Sequence, residues 1–149
     1  MDLLLAHWSL NVNESNRYLW RNNGDLTFTN GSDETNLYWD SNGDLSFSPG
    51  FADINNDGLQ DVLFVADGGT SRVFLNQPSG IFVDITTDQI SDKSGMGSAF
   101  GDYDNDGDLD WFVSSIFPVG HKILREFLGI VSIKIKEMVN SSTSPIMQV

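Results

Sequence analysis

Five aspartates stand at alternate positions in FGDYDNDGDLDWFV, residues 100–113: Asp102, Asp104, Asp106, Asp108 and Asp110. On a plain strand all five would share one face. Unit charges about 5 Å apart repel by roughly 1 kcal/mol even in bulk water, so such a face needs something positive among its carboxylates. Side chains of this type and spacing can bind a hard cation. In the pattern D-x-[DN]-x-D-G-x-x-D, positions 1, 3, 5 and 9 offer carboxylate or amide oxygens. Position 7 offers its backbone carbonyl, and the glycine at position 6 permits the sharp turn that wraps them round an ion. Calcium takes about six to eight oxygens at about 2.3–2.6 Å and tolerates irregular geometry, whereas magnesium demands a near-ideal octahedron and keeps its waters. Calcium is the expected ion. A solvated acidic strand face, or an ordinary Asp-Gly turn, is the alternative reading.

The motif has an earlier twin. FADINNDGLQDVLFV (51–65) aligns without gaps on residues 100–114, with Asp53 standing 49 positions before Asp102. The first loop would use Asp53, Asn55, Asp57, the Leu59 carbonyl and Asp61, with Gly58 at the turn. The second would use Asp102, Asp104, Asp106, the Asp108 carbonyl and Asp110, with Gly107 at the turn. Two calcium ions are therefore expected. Because Leu59 stands where Asp108 stands, the Asp108 carboxylate is expected to remain in water. An EF-hand starts similarly but needs a bidentate Glu at position 12 and flanking helices. Position 12 is Phe64 in one copy and Val113 in the other, and strand-like runs follow both.

These loops must be positioned by strands. RNNGDLTF (21–28) matches LNQPSGIF (75–82), SNGDLSF (41–47) is a further local copy, and such Asn-Gly and Asp-Gly turns between apolar runs signal hairpins. Asp2-Leu-Leu-Leu-Ala has the shape of Asp61-Val-Leu-Phe-Val and Asp110-Trp-Phe-Val-Ser, so Asp2 reads as the last position of another loop and the chain as starting inside a repeat. Strands are expected at 3–6, 17–21, 26–29, 45–48, 62–66, 72–75, 81–85, 97–101 and 111–115, from their β-branched and aromatic content. A period near 50 with about four strands per period is the ratio of a propeller blade; an antiparallel meander or sandwich is the alternative. The expected fold is all-β, a partial β-propeller of about two four-stranded antiparallel blades plus the edge of a third. Its repeats would occupy residues 1–115. Residues 116–149 contain neither motif and read as a divergent tail, with a short helix over 121–131, strand-like alternation from Val131 to Lys136 and a loose end.

The chain has 149 residues, enough for one domain with its own core. A net charge of −13 argues against nucleic acid and anionic membrane surfaces. Most of the acid precedes residue 116; the tail carries Lys122, Arg125, Lys134 and Lys136 against Glu126 and Glu137. No cysteine is present, so there is no disulfide framework or thiolate site, and no apolar run is long enough for a membrane-spanning helix. The N-terminus has no basic region of the kind that opens a signal peptide. Neither His7 nor His121 has a recognisable catalytic partner, and there is no G-x-S-x-G elbow or P-loop. Trp8, Trp20, Trp39 and Trp111 read as packing residues, with a sugar platform as the alternative. Asn13, Asn30 and Asn140 begin N-glycosylation sequons.

On the strength of FGDYDNDGDLDWFV and NNGDLTF, residues 2–115 resemble the FG-GAP/VCBS repeats of integrin α propellers and secreted bacterial proteins, and those of the cartilage acidic protein (ASPIC/UnbV-associated) type. Phe100-Gly101 matches the FG element, whereas Phe51-Ala52 replaces its glycine. The resemblance implies blades round a central axis, and calcium held between two strands of a blade by the ten residues named above. It also implies an extracellular or cell-surface setting, and adhesion or binding of a protein or carbohydrate ligand rather than catalysis. Closed propellers of this family have more blades than this chain supplies. A propeller-based secreted enzyme, a polysaccharide lyase or hydrolase with calcium support, is the second reading; a purely structural array is the third.

Overall fold

A computed structural model describes residues 1–9, 18–38, 44–68, 70–87, 90, 94–115 and 129–134. Its strands are β1 (Leu3–Leu4), β2 (Trp8–Ser9), β3 (Leu19–Asn22), β4 (Phe28–Asn30), β5 (Asp44–Ala52), β6 (Asp61–Ala66), β7 (Arg72–Asn76), β8 (Phe82–Asp84), β9 (Gly95–Gly101), β10 (Asp110–Ser115) and β11 (Gly129–Lys134). One short helix, α1 (Ser32–Thr35), lies between β4 and β5. The strands form three antiparallel sheets, ordered β1-β3-β4, β2-β5-β6-β7-β8 and β11-β10-β9. The molecule is thus all-β, a partial propeller-like arrangement that does not close into a barrel. Among the described residues no helix is long and apolar enough to cross a membrane.

The middle sheet contains a full four-strand unit, β5 to β8, and each flanking sheet shows three strands. Burial on both faces explains the sequence of β6, DVLFVA, every residue of which is buried. Val62 and Phe64 pack with Tyr18, Leu19, Leu37, Phe74 and Phe82 on the side of the first sheet. Leu63 and Val65 pack with Val73, Leu75, Trp111 and Val113 on the side of the third. A strand clamped between two sheets reads as a continuous apolar run rather than an alternation. Phe64 meets Tyr18 and Phe74 edge-on, with ring centroids 5.0 and 6.5 Å apart. The second and third sheets also meet where β5 has no side chain. A Cβ placed on Gly50 would lie 2.6 Å from Cε2 of Phe100 in β9.

The hairpins come out at the expected offset. Asn22 pairs with Phe28 across β3 and β4, and Asn76 pairs with Phe82 across β7 and β8. The turns differ: Leu26 and Gly24 take positive φ in one, Gly80 in the other. In the local copy at 41–47, the first three residues lie outside the described residues, and Asp44 onward runs straight into β5. That strand extends through Pro49-Gly50-Phe51, beyond the expected end at 48, with a bulge between Ser46 and Ser48.

β2 and α1 were not foreseen. Trp8 pairs with Leu45, so β2 adds to the β5 edge of the middle sheet, and the His7 N–H donates to the Ser46 hydroxyl at 3.0 Å. The helix is held by one tertiary and one local bond. The Leu19 N–H donates to the buried Ser32 hydroxyl at 2.9 Å, and within the turn the Thr35 hydroxyl donates to the Gly31 carbonyl at 2.6 Å. Beyond residue 115, β11 pairs with β10 from Asp110↔Lys134 to Ser115↔Gly129. The strand-like alternation expected from Val131 is therefore met in its first four residues. The helix expected over 121–131 falls mostly outside the described residues, and its last three positions belong to β11.

Candidate metal centre

Both acidic loops join two neighbouring strands of a sheet, β5 to β6 and β9 to β10. Their backbones are built by the same bonds. The first carboxylate of each loop accepts two N–H groups across the turn. Asp57 and Gly58 donate to Asp53 at 3.1 and 2.9 Å, and Asp106 and Gly107 donate to Asp102 at 3.1 Å each. The carboxylate at position 5 accepts the N–H two residues on, from Leu59 to Asp57 at 2.8 Å and from Asp108 to Asp106 at 3.0 Å. The closing carboxylate reaches back to position 2, taking the N–H of Ile54 onto Asp61 at 2.9 Å and that of Tyr103 onto Asp110 at 3.2 Å.

The turns are equally matched. Asn56 and Asn105 at position 4 have φ of 60° and 59°, and Gly58 and Gly107 at position 6 have φ of 85° and 89°. Asparagine tolerates the left-handed region better than most residues and glycine occupies it without cost. A turn with two left-handed residues thus explains N-x-G within both loops.

In the second loop, carboxylate oxygens of Asp102, Asp104 and Asp106 lie within 4.8 Å of one another, and all three residues are exposed. At that spacing each pair repels by about 1 kcal/mol even at the dielectric of water. Donors that are all oxygen fit a hard divalent cation of the calcium type. Asp110 is buried and stands outside that trio. In the first loop Asn55 replaces the middle carboxylate, and its amide donates to Asp57 Oδ2 at 3.0 Å while its own Oδ1 accepts the Asp57 N–H at 3.2 Å. The oxygen set of Asp53, Asn55 and Asp57 therefore carries one charge fewer than its twin.

Asp61 is fully buried, and both its oxygens are engaged, since the Asn76 N–H donates to Oδ1 at 2.8 Å. It stitches the loop to the neighbouring β7. Burial pushes its carboxyl above the usual carboxylate range, against the lowering effect of the bonds from Ile54 and Asn76 and with a further push from the charges of Asp57 and Asp53. Asp2 makes the corresponding bond in the first sheet, accepting the Asn22 N–H at 2.9 Å. The likeness of Asp2-Leu-Leu-Leu-Ala to the ends of the two loops thus has a structural counterpart.

The Asp108 side chain, expected in water, is not buried, and it has a partner the sequence did not show: its Oδ1 accepts an exposed hydrogen bond from Asn56 Nδ2 at 3.0 Å. Reading each loop by itself conceals this, because packing of the second sheet against the third brings position 4 of one loop to position 7 of the other. No signal within either loop marks the link, since the asparagine repeated at position 4 is explained by its left-handed φ.

Of the other candidates, Trp111 is fully buried and Trp8 is half exposed against Phe47, while Trp39 and His121 lie outside the described residues. His7 meets Tyr18 edge-on at 5.8 Å. The strand expected at 97–101 is β9, which starts two residues earlier at Gly95. Asn30 is the one sequon asparagine among the described residues, and its Oδ1 accepts the Ser32 N–H at 3.0 Å.

A model of the FG-GAP-like repeat family matches the chain twice, over residues 1–64 and 53–113. Both loops lie inside those matches. Among curated proteins no match is found.

Proposed function

The chain belongs to the FG-GAP-like repeat family, and from that premise we propose that it is a calcium-binding propeller segment of an extracellular adhesion or binding protein. The observation that carries the reading is the pair of loops folded by the same hydrogen bonds. In the second loop three exposed carboxylates stand within 4.8 Å of one another. The ligands would be Asp53, Asn55, Asp57, the Leu59 carbonyl and Asp61 in one loop, and Asp102, Asp104, Asp106, the Asp108 carbonyl and Asp110 in the other.

The ion is structural in this reading. It neutralises the clustered charge and holds the turn between two strands, and no residue is given a catalytic role. Buried closing aspartates that stitch a loop to its strands support a scaffold more than an open reaction site. Extracellular modules bind calcium at about 10⁻⁴–10⁻³ M, which suits a medium permanently rich in the ion. The parent propeller would present a protein or carbohydrate ligand surface.

Thermal melts in calcium and then in chelator test this. An ion that binds only the folded chain at tenfold its Kd stabilises by about 1.4 kcal/mol per site. Two sites should therefore raise the Tm by several degrees, and identical melts in the two buffers would reject the ion reading.

A further inference from the structure

We infer that Asn56 of the first loop is a positioning residue for the ion site of the second, acting through the side chain of Asp108. The inference rests on the calcium reading above and adds a regulation to it, because the order of one loop is passed to the next.

Position 7 is the one ligand that binds through its backbone, so its carbonyl direction is set by whatever fixes that residue's torsions. In the second loop two hydrogen bonds hold it. The Asp108 N–H donates to Asp106 Oδ1 at 3.0 Å within the loop, and Asp108 Oδ1 accepts from Asn56 Nδ2 at 3.0 Å from the other loop. Asn56 is itself fixed, since it sits at φ 60° just before Asp57 and Gly58, whose N–H groups bond back to Asp53 and Asn55. The link spans 52 residues of chain and joins two sheets. Leu59 occupies the same position in the first loop and has no carboxylate to offer. The dependence therefore runs through Asp108 alone. Among the described residues Asn105, the counterpart of Asn56, has no following loop to grip.

A second consequence concerns charge. The Asp108 carboxylate adds to the negative field of the trio, and the Asn56 amide meets it with a donor rather than another acid. Swapping the two side-chain types across the link keeps both the hydrogen bond and the net charge, which gives a rescue that a general loss of stability cannot imitate.

Terbium(III) stands in for calcium, and its emission excited through tyrosine reports the second loop, because Tyr103 lies inside that loop while Ile54 takes its place in the first. Asn56→Gly suits the left-handed backbone and removes the amide. It should weaken terbium binding at the second loop, and calcium competition with it, by about three- to tenfold, the worth of one ordinary hydrogen bond. The double variant Asn56→Asp with Asp108→Asn should return affinity to within about twofold of the original chain, since the bond is remade with donor and acceptor exchanged. Melts in chelator run alongside confirm that each variant is folded.

Two results overturn the inference while leaving the calcium reading intact: an Asn56→Gly chain that binds as tightly as the original, or an exchanged pair no better than Asn56→Gly. A parent chain that binds neither terbium nor calcium overturns the calcium reading, and this inference falls with it.

Discussion

At position 2 of the first loop stands Ile54, buried in the core between the second and third sheets; at position 2 of the second stands Tyr103, 58% exposed and touching Phe112 edge-on at 5.9 Å. The first loop has Asn55 and Leu59 where the second has Asp104 and Asp108. One loop is pinned by packing and carries less charge; its twin is pinned less and repels itself more. Two loops with the same backbone bonds thus reach that backbone by different balances. In the first, buried apolar surface and a stitched Asp61 hold the shape in advance. In the second, the charge demands a counter-ion, and the link from Asn56 supplies part of the order.

The largest effect should come from removing the apolar pin. Ile54→Ala deletes a buried side chain packed among Leu63, Val65 and Trp111 and should cost about 2–5 kcal/mol. Tyr103→Ala should cost less than about 1 kcal/mol, because an exposed ring loses little burial. Urea melts in chelator measure both. Equal losses would break the comparison, since the loops would then be anchored alike.

Next comes charge at position 3. Asn55→Asp gives the first loop the carboxylate its twin has, and Asp104→Asn removes it from the second. Ligand charge count tunes calcium affinity in loops of this kind. The first change should tighten binding at its loop, and the second weaken it, by about tenfold each, or about 1.4 kcal/mol. Calorimetric titration with calcium measures both. Affinities that ignore the exchange would show that position 3 is not a ligand in either loop.

How much of this could be read beforehand depends on where each constraint lies. The loops were legible because every determinant is local: oxygens at fixed spacing, Gly58 and Gly107 at the left-handed turn, Asn56 and Asn105 two positions earlier. β6 was legible because VLFV has no polar face to offer water. The two-residue β2 was not, since Trp8-Ser9 is too short for a periodic signal and is a strand only because Leu45 lies beside it. α1 was not, because a single turn cannot form alone and is held by Leu19, which is 13 residues away along the chain. The Asn56–Asp108 link was hidden for the same reason. Nothing in either loop says which face meets the other until the sheets are stacked.

A smaller change tests what the loops share. Gly58 and Gly107 both have positive φ, and an added Cβ at either would meet nothing within 4 Å. Gly58→Ala and Gly107→Ala should therefore cost only the strain of a left-handed alanine, about 1 kcal/mol each, and nearly the same in both. Gly50→Ala is the control, since its Cβ would press on Phe100. Unequal costs at the two turns, measured in chelator, would show that the backbones differ more than their bonds suggest.

The smallest effect expected is the pH response of Asp61. Burial raises its carboxyl above the ordinary value, against the pull of two backbone N–H groups. A carboxyl raised in the folded chain holds its proton more tightly there than in the unfolded chain, where the value is about 3.9. Between the two values the folded state binds more protons, so stability rises as pH falls, and it declines as pH climbs through the folded value. In chelator, then, Tm should drop less on mild acidification for the original chain than for Asp61→Asn, which has no proton to take up. With calcium present protons compete with the ion for the loop oxygens, and the sign should reverse. A steeper acid loss in chelator for the original chain would mean that the N–H bonds from Ile54 and Asn76 outweigh the burial. The first loop would then be held by its hydrogen bonds to Asp61 more than by Ile54 in the core.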